Sequence, residues 1–261
     1  PLINALIAVE ERELLEAYLT EKIQNLQVSN PSADSFSLYL KPLASAGLYL
    51  PIFNQFSSIS QNVKVEIMQQ YPELLFPRKY LGIIGPHSEK LLLSPALVLS
   101  IIRQESSFNE KARSKADAFG LIQILPQVAR KYSQLNGVSY DNYQDLYDPN
   151  INIPIGISLL STLHKKYKGQ IVLMAAAYNA GERPLDQWIR EKLKNDTLEF
   201  IEDIPYEETK TYVKLILRNY IFYSRLERPM DPFPFPVGLI DNLDKYNVSS
   251  ETISARILSA F

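Results

Sequence analysis

Ser94-Pro95-Ala96-Leu97-Val98-Leu99-Ser100-Ile101-Ile102-Arg103-Gln104-Glu105 is the stretch from which the fold is read. Ser94 is a helix-capping residue type, and Pro95 suits the first helical position, where no N–H is needed. The helix opened there is expected to reach about Phe108. Leu97, Ile101 and Glu105 follow at intervals of four, with Val98 and Ile102 flanking them on the same face, so an apolar stripe ends in a carboxylate. If the stripe faces a core, Glu105 is partly desolvated and its charged form is disfavoured, which raises its pKa towards that of a general acid near neutral pH. The competing reading is a solvated glutamate at a helix end, paired with Arg103 or Arg113.

The same helix grammar repeats on both sides. Residues 126–135 stop before Asn136-Gly137, Asp148-Pro149 opens a helix towards Lys168-Gly169, and residues 170–179, with Ala175-Ala176-Ala177, are short and very apolar. Residues 205–225 form a long amphipathic pattern with Glu207 and Glu208 in the first turn, where the helix dipole favours them. Upstream, residues 2–26 carry apolar side chains every three or four positions until Asn30-Pro31-Ser32, and shorter helical stretches cover 36–49 and 51–71. Pro72, Pro77 and Gly82 to Pro86 read as a linker. Long alternating strand patterns are missing, so the expected fold is mainly α. It divides into a helical N-terminal segment (1–85), a helical domain (86–228) and a C-terminal extension (229–261). In that extension Pro229, Pro232, Pro234 and Pro236 interleave with Phe233 and Phe235, ahead of a short helix from Ser250.

Composition narrows the chemistry. With 261 residues, 46% of them apolar and 21% charged, the chain can bury a substantial core in water. Lys and Arg number 27 against 29 Asp and Glu, so no global field favours nucleic acid. There is no cysteine and only two histidines, His87 and His164, which excludes thiol nucleophiles, Cys-ligated zinc and haem attachment. His164, within Thr162-Leu163-His164-Lys165-Lys166, reads as a solvated helix residue. No metal or cofactor is expected, and carboxylates must carry any chemistry. The longest apolar run, residues 91–102, is broken by Ser94-Pro95 and is shorter than the ~20 residues a membrane span needs. The chain starts at Pro1 without a basic and apolar leader, so a mature form or a fragment is expected.

Three further segments add to Glu105. Gly120-Leu121-Ile122-Gln123 sets a backbone turn beside an uncharged amide, suited to the hydroxyls and acetamides of a sugar. Ala177-Tyr178-Asn179-Ala180-Gly181 places a phenol and an amide at a helix end; Tyr178, Trp188 and Tyr212 are rings that stack on sugars or fill a core. Glu202 lies between Ile201 and Ile204, ahead of Pro205, confined there or paired with Lys210.

In this order, together with Ile201-Glu202-Asp203-Ile204-Pro205-Tyr206-Glu207-Glu208-Thr209-Lys210-Thr211-Tyr212-Val213, the segments resemble the signature of the family 1 soluble lytic transglycosylases, over roughly residues 75–228. The resemblance implies a lysozyme-like (goose-type-like) helical catalytic domain, preceded by a few helices of a helical superhelix. It implies an enzyme that cleaves the MurNAc-GlcNAc β-1,4 bond of peptidoglycan without water, leaving 1,6-anhydroMurNAc ends, with Glu105 as the single acid and then base. Ser114 and Gln123 match cleft residues near it, and Tyr178, Asn179, Glu202 and Tyr212 match positions that shape sugar subsites. The implied partner is the glycan strand of peptidoglycan, and the implied place is the periplasm. Two residues depart from the family pattern: Ile122 replaces a methionine, and Asp117 replaces a small residue. Asp117 keeps open a goose-type-lysozyme-like hydrolase that uses Glu105 with Asp117. A non-catalytic glycan-binding scaffold module is the reading from another class. Residues 1–85 carry no chemical constellation and read as a packing or adaptor segment.

Overall fold

The helix opened by Ser94 and Pro95 becomes the central element of the fold. In the computed structural model, which describes residues 2–27, 31–193 and 196–228, it spans Pro95–Ser106 and every residue from Ala96 to Ile102 is buried. A helix that is apolar all round is a core helix, and here its neighbours come from both ends of the chain.

Among the described residues the elements are α1 (Leu2–Ala8), α2 (Arg12–Gln27), α3 (Ala33–Ser45), α4 (Tyr49–Ser58), α5 (Gln61–Gln70), α6 (Pro72–Leu75), α7 (Leu81–Lys90) and α8 (Pro95–Ser106). They continue with α9 (Pro126–Asn136), a 3-10 turn (Tyr143–Tyr147), α10 (Pro149–Lys166), α11 (Ile171–Ala180), α12 (Glu182–Lys192), α13 (Thr197–Glu202) and α14 (Glu207–Glu227). No strand forms among these residues; only the isolated bridges Arg113 to Phe119 and Phe119 to Ile124 fold residues 113–124 into a small hairpin-like loop. The architecture is thus mainly α, as expected. α8 packs along α14, and the small run Ala175-Ala176-Ala177 lets α11 approach α14 from the other side. α9 and α7 lean on α10.

Several expectations are corrected. The stripe over residues 2–26 is two helices, because Glu10 adopts a left-handed φ of 57°. No apolar residue of the stripe lies between Ile7 and Leu14 to hold the helix through that point, and no residue of α1 is fully buried. Residues 51–71 divide at Ile59-Ser60, where the chain extends before α5. The expected linker is largely helical: Pro72 occupies the first turn of α6, and Gly82, Gly85 and Pro86 lie within α7, so residue 85 falls inside a helix. α12 was not anticipated; it buries Leu185 and Trp188 and turns Arg183, Arg190 and Glu191 to solvent. The Pro- and Phe-rich extension and Asn30 lie outside the described residues.

The N-terminal helices pack directly on α8 and α14. The Arg103 guanidinium lies 4.0 Å from the Phe53 ring centroid and 5.0 Å from that of Phe76, donates to the Leu75 carbonyl at 2.9 Å and reaches Asn219 Oδ1 at 3.1 Å. Phe76 stacks on Phe222 with centroids 4.6 Å apart, and the Tyr223 hydroxyl donates to the Pro77 carbonyl at 3.1 Å. Cation–π contacts of a desolvated guanidinium are worth about 2 kcal/mol, so these helices brace the central helix rather than hang from it.

Candidate active site

Glu105 occupies the last turn of α8. Immediately after the helix, Ser107 and Phe108 both adopt left-handed φ values, 49° and 64°, which ends the helix and turns the chain away from its axis. The residue is half-buried, with one side open, while protein crowds its carboxyl group on the others. Tyr212 of α14 donates its hydroxyl to Glu105 Oε1 at 2.6 Å. Burial pushes the Glu105 pKa up to about 7; the Tyr212 hydrogen bond acts against that shift, and the nearby charge of Glu208 adds to it.

Tyr178 and Tyr212 form the aromatic wall of this carboxyl. Burial, and then the Glu105 charge, hold both phenols well above their ordinary pKa, so both remain donors at neutral pH. Tyr178 does not reach Glu105; its hydroxyl donates to the Ile122 carbonyl at 2.5 Å. Asn179, one residue on, accepts from the Thr209 hydroxyl at 2.6 Å and thereby ties the end of α11 to the first turn of α14. That turn carries Glu208.

The loop 112–124 forms the facing part. Ser114 Oγ accepts from the N–H groups of Ala116 and Ala118 at 3.2 and 3.0 Å, which closes the loop on itself. Gln123, with a left-handed φ of 50°, spends its side-chain NH2 on the carbonyls of Ala112 and Gly120 at 3.1 and 2.9 Å. Its Oε1 makes no such bond and is left as an acceptor. Gly120 is obligatory here: a Cβ would stand 2.0 Å from the Leu146 carbonyl oxygen.

Five of the seven expected site residues therefore gather in two contiguous sets: Glu105, Tyr212, Tyr178 and Asn179 on the helical side, and Gln123 beneath Tyr178. Ser114 shapes the loop. Glu202 departs from expectation. Ile201 and Ile204 are buried and turn the glutamate outward, where it pairs with Lys214 at 2.6 Å rather than with Lys210. The hydrogen bond from Lys214 holds its carboxyl below the usual range. Trp188 is buried with its ring edge-on to Tyr206, so it is core and offers no stacking face. His164 is half-buried in α10 rather than fully solvated, and burial followed by Lys165 lowers its pKa. Asp117 is exposed, and Oδ1 takes both Arg113 donors, at 2.9 and 2.7 Å.

Sequence reasoning overlooked two residues. Glu208 was read only as a helix-dipole acid, although its spacing of four before Tyr212 puts both on one face of α14. Asn152 is a fully buried amide inside the apolar run Ile151-Asn152-Ile153-Pro154-Ile155, and a lone amide there is itself a signal. Among the described residues no group of three or more His, Asp or Glu side chains could hold a metal ion.

Residues 83–201 match the family model described as the transglycosylase SLT domain. That match covers 119 of the 261 residues. An Escherichia coli protein named soluble lytic murein transglycosylase is 31% identical over 150 residues, covering 57% of this chain and 23% of that protein. A Mannheimia succiniciproducens protein named membrane-bound lytic murein transglycosylase C is 37% identical over 113 residues, 40% of this chain and 32% of its own length. The crystal structure of an inactive glutamate-to-glutamine mutant of the Pseudomonas aeruginosa lytic transglycosylase Slt superposes with a TM-score of 0.67 at 26% identity, covering 81% of this chain and 33% of that one. The chain thus spans a third or less of the length of these relatives. Glu105, Ser114, Gln123, Tyr178 and Asn179 lie within the family match, whereas Glu202, Glu208 and Tyr212 lie just beyond the end of the SLT match.

Proposed function

We propose that this chain is a peptidoglycan lytic transglycosylase acting on glycan strands. The observation that carries the reading is Glu105: one carboxyl group, half-buried, held by the Tyr212 hydroxyl and with its pKa raised to about 7, close to the pH at which it would have to both give and take a proton. Ordinary glycosidases divide that work between two carboxyl groups. Here the protonated Glu105 delivers its proton to the oxygen linking N-acetylmuramic acid to N-acetylglucosamine as the C1–O bond breaks. Positive charge grows at C1 and is met by the substrate's own acetamide or carried as an oxocarbenium ion. The Glu105 carboxylate then removes the proton of the muramyl C6 hydroxyl, whose oxygen bonds to C1 and closes the 1,6-anhydro ring. Atoms balance without water, and Glu105 ends protonated as it began.

The names of the relatives support the substrate class, and the inactive glutamate-to-glutamine mutant of the Pseudomonas aeruginosa protein supports a reaction that depends on a glutamate. Tyr212 fixes the direction of the carboxyl and favours its anion for the second half-reaction, while burial favours the acid for the first. Gln123 offers an acceptor to a hydroxyl or acetamide N–H. Hydrolysis with Asp117 is disfavoured because that carboxylate is exposed and occupied by Arg113. Such a substrate implies action outside the cytoplasmic membrane, in the periplasm, and no described helix is long and apolar enough to cross a membrane.

The test is mass spectrometry of soluble products from purified sacculi treated with the parent and with Glu105→Gln. The expected result is anhydro-muropeptides from the parent and none from the variant. Products with reducing ends would make the chain a hydrolase, and strand binding without products from the parent would make it a binding module.

A further inference from the structure

Asn152 has no exposed surface and lies in the first turn of α10, a helix that contributes nothing to the acid. Its Oδ1 accepts the Ile122 N–H and its Nδ2 donates to the Phe119 carbonyl, both at 2.9 Å. One amide thus bridges the two arms of the turn that holds Gly120 and Leu121. The seat has no slack. A Cβ on Gly120 would lie 2.5 Å from Asn152 Nδ2, and a Cβ on Gly156, one helical turn after Asn152, would lie 2.4 Å from Ile122 Cγ2. From above, the Tyr178 hydroxyl presses on the Ile122 carbonyl. The turn is therefore fixed between α10 and α11, and Gln123 follows it directly.

We infer that Asn152, with Gly156 beneath Ile122, is a positioning residue that sets the place of Gln123 and with it the side-chain Oε1 as the hydrogen-bond acceptor of a sugar subsite, taking a hydroxyl or acetamide N–H of the strand. The inference rests on the glycan-binding reading of this cleft. It assigns to Asn152 an effect on binding and none on proton transfer, since Asn152 touches neither Glu105 nor Tyr212.

The experiment uses the full chain with Asn152→Ala and, separately, Gly156→Ala. The second removes no hydrogen bond but pushes on Ile122. In a Glu105→Gln background the Kd for uncrosslinked N-acetylated glycan strands is measured by calorimetry. In the parent background kcat, KM and their pH profiles are measured, with thermal midpoints as the folding control. Both variants are expected to weaken strand binding and raise KM roughly tenfold, the size of one well-placed hydrogen bond, while the pH limb of Glu105 stays in place. A purely structural role would lower the thermal midpoint and leave Kd unchanged in the folded fraction, and that result overturns the inference. So does a fall in kcat with a moved pH limb and an unchanged KM. Where Asn152→Ala fails to fold, Gly156→Ala decides by the same two readings. A parent that makes no anhydro products refutes the proposed function alone, because the Kd comparison still judges the clamp.

Discussion

Replacing Glu105 by Gln should make the protein more stable at alkaline pH and leave it unchanged in acid. The Glu105 carboxyl has a pKa of about 7 in the folded chain against an ordinary 4.5. Below the ordinary value both native and unfolded chains hold the proton, and the site costs nothing. As the pH rises towards 7 the unfolded chain releases a proton that the native chain retains, so the stability associated with the neutral acid is progressively lost. At about 1.4 kcal/mol per pH unit the full interval amounts to roughly 3 kcal/mol, and about 2 kcal/mol is expected once the water that reaches a half-buried residue is allowed for. Glutamine keeps the shape of the neutral acid and an oxygen for Tyr212, but never ionises. The two proteins should therefore unfold alike near about pH 4.5 and differ by about 2 kcal/mol near pH 8, the variant being the more stable. Equilibrium urea unfolding at a series of pH values measures this directly, and titration of groups that do not interact with Glu105 cancels in the difference. A difference that does not change with pH, or a parent that gains stability on ionisation, would refute the claim that burial governs this carboxyl.

Two substitutions should move the pH dependence of turnover in opposite directions. Tyr212→Phe removes a bond that favours the carboxylate, so the alkaline limb should shift upward by about one pH unit, with reduced kcat. Glu208→Gln removes a like charge, so the limb should fall by a few tenths of a unit; both shifts are read from kcat between acid and alkaline buffers. Asp117→Asn breaks an exposed pair with Arg113 and should leave both the urea midpoint and the anhydro character of the products unchanged, and reducing ends lost with the substitution would contradict this. Gly120→Ala forces a Cβ against the Leu146 carbonyl and should destabilise by about 3 kcal/mol or more, measured by the same unfolding series.

What was legible in the sequence was whatever local rules decide. Ser94-Pro95, Asp148-Pro149 and Asn136-Gly137 marked helix ends that the structure keeps to within a residue or two. Spacing alone brought Glu105 to the end of a buried stripe. Local rules failed where distant packing overrode them. Gly82, Gly85 and Pro86 carry linker composition yet stand in α7, which packs on α8 and α10. Glu202 was read from its apolar neighbours, but those neighbours enter the core and set the carboxylate on the other side, a reversal that only the three-dimensional path of α13 reveals. Asn152 went unread because its partners lie about thirty residues away in the chain.

The family match ends at residue 201, yet Tyr212 stands eleven residues further on and the Phe53–Arg103–Phe76 sandwich begins thirty residues before residue 83. Grafting the inherited segment alone onto another protein would carry over the acid without the phenol that aims it and without the aromatic rings that grip its helix. The family match marks one outline on this chain, and mechanical completeness marks a larger one: a graft that keeps Phe53, Phe76 and α14 carries both the phenol that aims Glu105 and the rings that hold its helix through Arg103.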